Sequence, residues 1–323
     1  MADERTTPEV VQRGEMLPPE VVQDLFSKVK GHSSIAKLIG SEPVAFNGNT
    51  FFSFSMDDEA TVVGEGEAKE RGHARVAPVT VRPLCIEYGA RFSEQMWYGS
   101  EAARLDLMKK FAEGCSKKVG RAVDIIGFHG INPRTKAALP SMEGKCFDAT
   151  TNSVVFDATD PEANLEDAIA MLGEEAVTGF MFSKDFGAAL GKLKVNGVKQ
   201  YPEFALGGNP GNLNGAGCDV NSTVSFADKA KAYAGNMEAV KWGYAKNMPL
   251  ELIKYGDPDN SGRDLRGHNE IYLRTEAYIA AVVIDPDSIA KVVPTAASGS
   301  EGTSGSEGTD DSERTDDSEG TGE

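Results

Sequence analysis

The chain has 323 residues, 40% hydrophobic and 26% charged, an ordinary composition for a globular protein with a substantial core. Its 50 acids against 33 bases give a formal net charge of −17, which repels phosphate and argues against direct DNA reading. The most apolar stretch, around residues 278–284, is far short of the roughly 20 residues that span a bilayer, and MADERTTPEVVQRGE has no apolar signal core, so neither membrane insertion nor secretion is expected.

The first 45 residues have the character of an arm. Pro18 and Pro19 precede EVVQDLFSKVK, where Val21, Val22, Leu25, Phe26 and Val29 share one helical face before Gly31. A short amphipathic helix with nothing nearby to pack on is expected to dock elsewhere. FNGNTFFSFSM then gives a turn-like Asn-Gly and a strand, and DDEATVVGEGEAKERGHA is too polar for a core. APVTVRPLCIEYGARFSEQM alternates well enough for one strand or two. Strand, polar excursion and returning strand predict a projecting hairpin, which is marginal alone.

Residues 100–127 form the clearest helix, with Leu105, Met108, Ala112, Cys115, Val119, Ala122 and Ile126 at alternating steps of three and four. Ser100 is its expected N-cap and Gly127 its expected stop. Residues 140–265 mix helices and strands: NLEDAIAMLGEEA is a capped helix, FMFSKDFGAALGKLK a strand, turn and helix, and GGNPGNLNGAG a loop. VKWGYAKNMPLELIKYG reads as two strands, and EIYLRTEAYIAAVVIDPDSIAKVV as two strand-length runs ending at Asp285-Pro286. Residues 298–323 hold nine acids against one base, Arg314, and so carry −8 of the net charge. That composition predicts a disordered, solvated acidic extension.

No active site emerges. GGNPGNLNGAG lacks the Lys-Ser/Thr of a phosphate loop, and no GxGxxG or GxSxG occurs. Asp257, Asp259, Ser261 and Gly262 imitate the start of a calcium loop, but its twelfth position is His268. The four histidines and the isolated Cys85, Cys115, Cys146 and Cys218 have no metal spacing, and the cysteines read as small buried hydrophobes. No cofactor or metal is expected.

The order of these pieces resembles the major capsid proteins of tailed bacteriophages. The resemblance runs over residues 20–294 and is carried by EATVVGEGEAKERGHA, LCIEYGARFSEQM leading into the long helix, AVDIIGFHG at its end, GFMFSKDFGAALGKLK with the later LGGNPG, and LRTEAYIAAVVIDPDSIAKVV. It implies an α+β protein of the Hong Kong 97-type capsid fold. The implied parts are an N-terminal arm (1–45), an extended β-hairpin loop (46–82), a peripheral domain with a long spine helix (83–139), an axial domain (140–265), peripheral return strands (266–294) and an acidic tail (295–323).

The implied function is structural. Pentamers and hexamers of the chain would build an icosahedral shell in the host cytoplasm around double-stranded DNA, without sequence-specific binding. Scaffolding, portal and decoration proteins would be its other partners. An encapsulin-type nanocompartment and a soluble oligomeric enzyme are the alternatives. Some family members weld their shells by isopeptide bonds between a loop lysine and a neighbour's asparagine, with a glutamate as proton acceptor. Against that pattern Lys69 falls in the lysine's place, Asn269 in the asparagine's and Glu276 in the glutamate's.

Overall fold

The computed structural model describes residues 32–295 except 57, 70 and 247–249. The expected arm helix at 18–30 and the tail beyond 295 lie outside the described residues. The chain enters through a short helix, α1 (Ser34–Leu38). Strands β1 (Asn49–Met56) and β2 (Ala74–Val81) form the expected hairpin, in antiparallel register from Asn49 opposite Val81 to Met56 opposite Ala74. Gly48, at φ +91, makes the turn into it. After Pro83 comes a separate strand, β3 (Leu84–Ser93), so the ambiguous run resolves into two strands.

A short helix α2 (Glu94–Tyr98) leads to the spine, α3 (Glu101–His129), which at 29 residues is about 40 Å long. The spine buries Leu107, Phe111, Cys115, Val119, Val123 and Ile126. Leu105, placed on the seam by spacing alone, is exposed, and Leu107 takes its place one turn from Phe111. Gly127 is not the stop. A Cβ there would lie 2.4 Å from the Ile35 side chain, so this glycine marks where α1 crosses the helix. The helix ends at Gly130, whose φ of +60 suits a residue without a Cβ.

Two sheets flank the spine. One contains β3, β11 (Val240–Lys246), β12 (Leu250–Ile253) and β13 (Glu270–Val283), with β13 pairing to the other three. β13 is one continuous strand of 14 residues, not two runs. Its odd-numbered side chains from Ile271 to Val283 are buried toward the spine, as the period of two requires. At its far end Ala280 and Val282 meet Val44 and Val81 at the base of the hairpin.

The other sheet runs in the order β4 (Ser153–Val155), β14 (Ile289–Val293), β10 (Ala232–Gly235), β5 (Gly179–Phe182), β9 (Ala216–Val220), β8 (Asn212–Leu213). Helices α4 (Pro161–Ala170) and α5 (Lys184–Leu190) follow their caps Asp160 and Ser183 and pack with Phe180, Phe182 and Phe204. Each sheet draws its strands from segments far apart in the chain. β11 and β12 fall in the segment assigned to 140–265 yet join β13, whereas β14 falls in 266–294 yet joins the second sheet. GGNPGNLNGAG is a loop that closes on the small β8–β9 hairpin.

Candidate functional site: assembly surfaces and the arm anchor

The hairpin presents an uncovered apolar stripe. On its even-numbered face Phe52, Phe54 and Met56 are 67%, 58% and 72% exposed, and Val76 faces Phe54 across the ladder. Alternation puts them on one side, and aromatic side chains exposed in a row mark a contact surface. At the tip, the His73 backbone N–H and Nδ1 both meet Asp58 Oδ2, at 2.5 and 2.8 Å, which closes the excursion.

The three residues singled out for cross-linking occupy separate places. Lys69 is exposed in the hairpin tip. Asn269 is exposed, left-handed at φ 53, and ends the turn Arg266–His268, while its carbonyl accepts the Glu94 N–H at 2.8 Å. Glu276 is half-buried on β13, opposite Glu87, with Oε1 3.3 Å from Arg274 Nε. Seven residues of extended chain separate Asn269 from Glu276 by about 23 Å. One subunit does not bring the three together.

The loop that imitates a calcium site has a different occupant. Arg91 Nη2 donates to Asp257 Oδ1 at 2.6 Å, Asp259 Oδ1 at 2.5 Å, Ser261 Oγ at 2.6 Å and the Arg263 carbonyl at 2.9 Å. Nη1 reaches Glu270 Oε2 at 3.0 Å. The guanidinium lies where a metal would in such a loop and holds Asp259 far below the usual carboxylate range.

Sequence reasoning missed the most heavily bonded buried group. Asp124 on the spine has no exposed surface and accepts five donors: Ser33 Oγ (2.5 Å), Ser34 N (3.0 Å), Ile35 N (3.1 Å), Asn221 Nδ2 (3.1 Å) and Thr223 Oγ1 (2.8 Å). It thereby fixes the first turn of α1 to the spine. A second carboxylate, Asp219 on β9, accepts Ser34 Oγ at 2.6 Å, Lys37 Nζ at 2.6 Å and Asn209 Nδ2 at 2.9 Å. The network continues through Thr223, whose carbonyl faces His129 Nε2 at 3.1 Å, and His129 Nδ1 lies 2.9 Å from Asp148 Oδ2. Tyr233 donates its hydroxyl to the same Asp148. α1, the spine end and the second sheet are thus joined by one polar network. The only signal for it in the sequence was a charged residue inside the apolar run AVDIIGFHG.

No protein-family model and no curated protein sequence matches the chain. Solved structures do. A structure from Mycobacterium phage Ogopogo is 29% identical, covers 82% of this chain and 92% of its own, and superposes with a TM-score of 0.72. One from Gordonia phage Cozz is 22% identical over 82% of this chain and 87% of its own, at 0.67. The capsid of Myoviridae phage XM1 is 11% identical over 80% and 89%, at 0.53. Hairpin, spine and paired sheets therefore make up the fold of a capsid subunit. Within that class the chain has the fold of a major capsid protein of tailed bacteriophages, as the resemblance implied.

Proposed function

We propose that the chain is the shell-forming major capsid protein of a tailed phage. It builds a closed shell around double-stranded DNA and assembles in the host cytoplasm with scaffolding, portal and decoration proteins as partners. The observation that carries this reading is the hairpin. It projects an apolar stripe that the other described residues leave exposed, on the fold shared with phage capsids. Such a surface finds its complement on the next copy, and a head-to-tail contact of this kind closes into rings. The acidic body suits a shell from which DNA must slide freely. Residues 83–139 and 266–283 with β11 and β12 act as the peripheral part, and the second sheet as the axial part.

Electron microscopy of the purified protein tests the reading: closed shells tens of nanometres across support it, and particles the size of a single ring overturn it. Nucleic acid inside the particles separates a phage shell from a compartment filled with cargo enzymes.

Lys69, Asn269 and Glu276 then belong to a cross-link that draws on more than one subunit. The lysine amine of one copy attacks the side-chain amide carbon of Asn269 in another; the glutamate takes the proton from the attacking nitrogen and passes it to the amide nitrogen, which leaves as ammonia. Denaturing gels of mature particles should show a ladder of covalent multimers, absent in Lys69→Ala. A single subunit band from wild-type particles refutes the bond.

A further inference from the structure

A small lysine-bearing hairpin stands apart from both sheets. Strands β6 (Lys194–Val195) and β7 (Val198–Lys199) turn through Asn196 and Gly197, at φ 52 and 82. That is the geometry of a tight two-residue turn. Lys194 and Lys199 are directly opposite each other, and Val195 and Val198 share the other face. Like charges paired across a ladder repel, and a two-stranded ribbon has little else to hold it. Lys184 and Lys192 flank the ribbon, and all four lysines are exposed without an ion pair among the described residues. Residues 184–200 thus hold four lysines and one acid, Asp185, in a chain of net charge −17.

The chain's own C-terminal segment leaves the described body at a strand that packs on the helix preceding this ribbon. After β14, the Phe156 N–H donates to the Val293 carbonyl at 2.8 Å, and Thr295 Oγ1 donates back to the Phe156 carbonyl at 2.8 Å. The Phe156 ring packs on Phe186 of α5 at 5.5 Å, and α5 leads directly into the ribbon. On the ribbon's other side, Tyr201 donates to Glu162 at the start of α4 at 2.8 Å. Phe156 and Tyr201 thus tie the exit point and the ribbon to α5 and α4, the two helices on the second sheet. Residues 296–323, rich in Gly and Ser, have an r.m.s. reach of about 30 Å. Residues 298–323 offer carboxylates and no large apolar side chain, so ionic pairing is the contact open to them.

We propose that the acidic segment 298–323 docks on the lysine face of the β6–β7 ribbon of its own chain. The carboxylates relieve the repulsion between Lys194 and Lys199. Tethering at Thr295 keeps their local concentration high, so individually weak pairs add up. Because the pairs are exposed, salt dissolves the contact.

The test is the rate at which each lysine of the nuclease-treated full chain is acetylated by an amine-reactive ester, read by mass spectrometry. In low salt, Lys194 and Lys199 should react several-fold more slowly than in a chain lacking 298–323, and molar salt should abolish the difference. Lys136, exposed in the loop that follows the spine, should react alike in both. Equal rates at Lys194 and Lys199 in the two chains overturn the proposal. So does protection that survives the deletion and occurs only in DNA-filled particles, which would make the ribbon a phosphate contact. Should the shortened chain fail to fold, the salt dependence in the full chain alone decides: rates unmoved by salt refute the docking.

Discussion

Ser33 Oγ donates to Asp124 Oδ1 at 2.5 Å across 91 positions of chain, and the same oxygen caps α1 by accepting the Ala36 N–H at 3.1 Å. One hydroxyl thus starts a helix and fastens it to the spine. Ser33→Ala removes both bonds and leaves a buried carboxylate one donor short. The expected loss is about 1–3 kcal/mol in chemical denaturation of the subunit. An unchanged midpoint and slope would show that the contact does not anchor α1.

The pH dependence of this anchor has an unusual sign. Burial pushes the Asp124 carboxyl from 3.8 up to about 6, against the pull of its Ser33, Ser34, Thr223 and Ile35 donors. The folded state therefore holds the proton more tightly than the unfolded state. Its stabilising contribution is complete below about pH 4 and is lost as pH rises through about 6. Asp148 behaves oppositely: burial raises it, but His129, Tyr233 and Lys229 outweigh that and hold it below the ordinary range. Its contribution is present above the ordinary carboxylate value and disappears only as pH falls below it. Asp124→Asn lacks the first titration. The stability difference between wild type and variant should widen by on the order of 3 kcal/mol from pH 7 to pH 4. Parallel curves over that range would contradict the assignment.

Thr275 lies on the buried face of β13, and its hydroxyl has no hydrogen-bond partner among the described residues. Valine matches its shape without the polar atom. Thr275→Val should raise the unfolding free energy by about 1 kcal/mol, because the unpaired hydroxyl costs desolvation that nothing offsets. A destabilised variant would reveal a partner for that oxygen.

Phe54 is exposed in the middle of the hairpin stripe and contributes nothing to the subunit core. Phe54→Asp should leave the subunit's melting temperature unchanged and abolish closed shells in sedimentation and microscopy. Normal shells from this variant would remove the stripe from the assembly surface.

The hairpin was legible in the sequence because its signals are local: Asn-Gly before β1, period-two alternation and a polar tip. The spine was legible in extent but not in detail. Spacing chose Leu105 over Leu107 and stopped the helix at Gly127, because it cannot tell a glycine needed for close approach to Ile35 from one needed for positive φ. Cys85, expected inside with the other cysteines, is exposed on β3. What stayed hidden is non-local. Arg91 lies 166 positions from Asp257, and the donors to Asp124 come from 33–35 and 221–223. No short-range pattern encodes such pairings. The sheets are hidden for the same reason, since β11, β12 and β14 pair with distant strands. Lys69, Asn269 and Glu276 lie far apart in the sequence and on separate elements, so no local pattern could show whether they act together.

The pairing of β3 with β13, from Ser93 opposite Glu270 to Leu84 opposite Ile279, also sets a timetable for synthesis. β13 is the strand that bonds β3, β11 and β12, yet it leaves the ribosome after all three. Until then β3 has an open edge and the spine has no apolar floor, while the hairpin stripe is already made. The nascent subunit is therefore stickiest before it can fold, and non-local closure of this kind is slow. Crowded translation at high expression should favour misassociation of unfinished chains, and holding chaperones that cover β3 and the stripe should raise the yield of intact subunits.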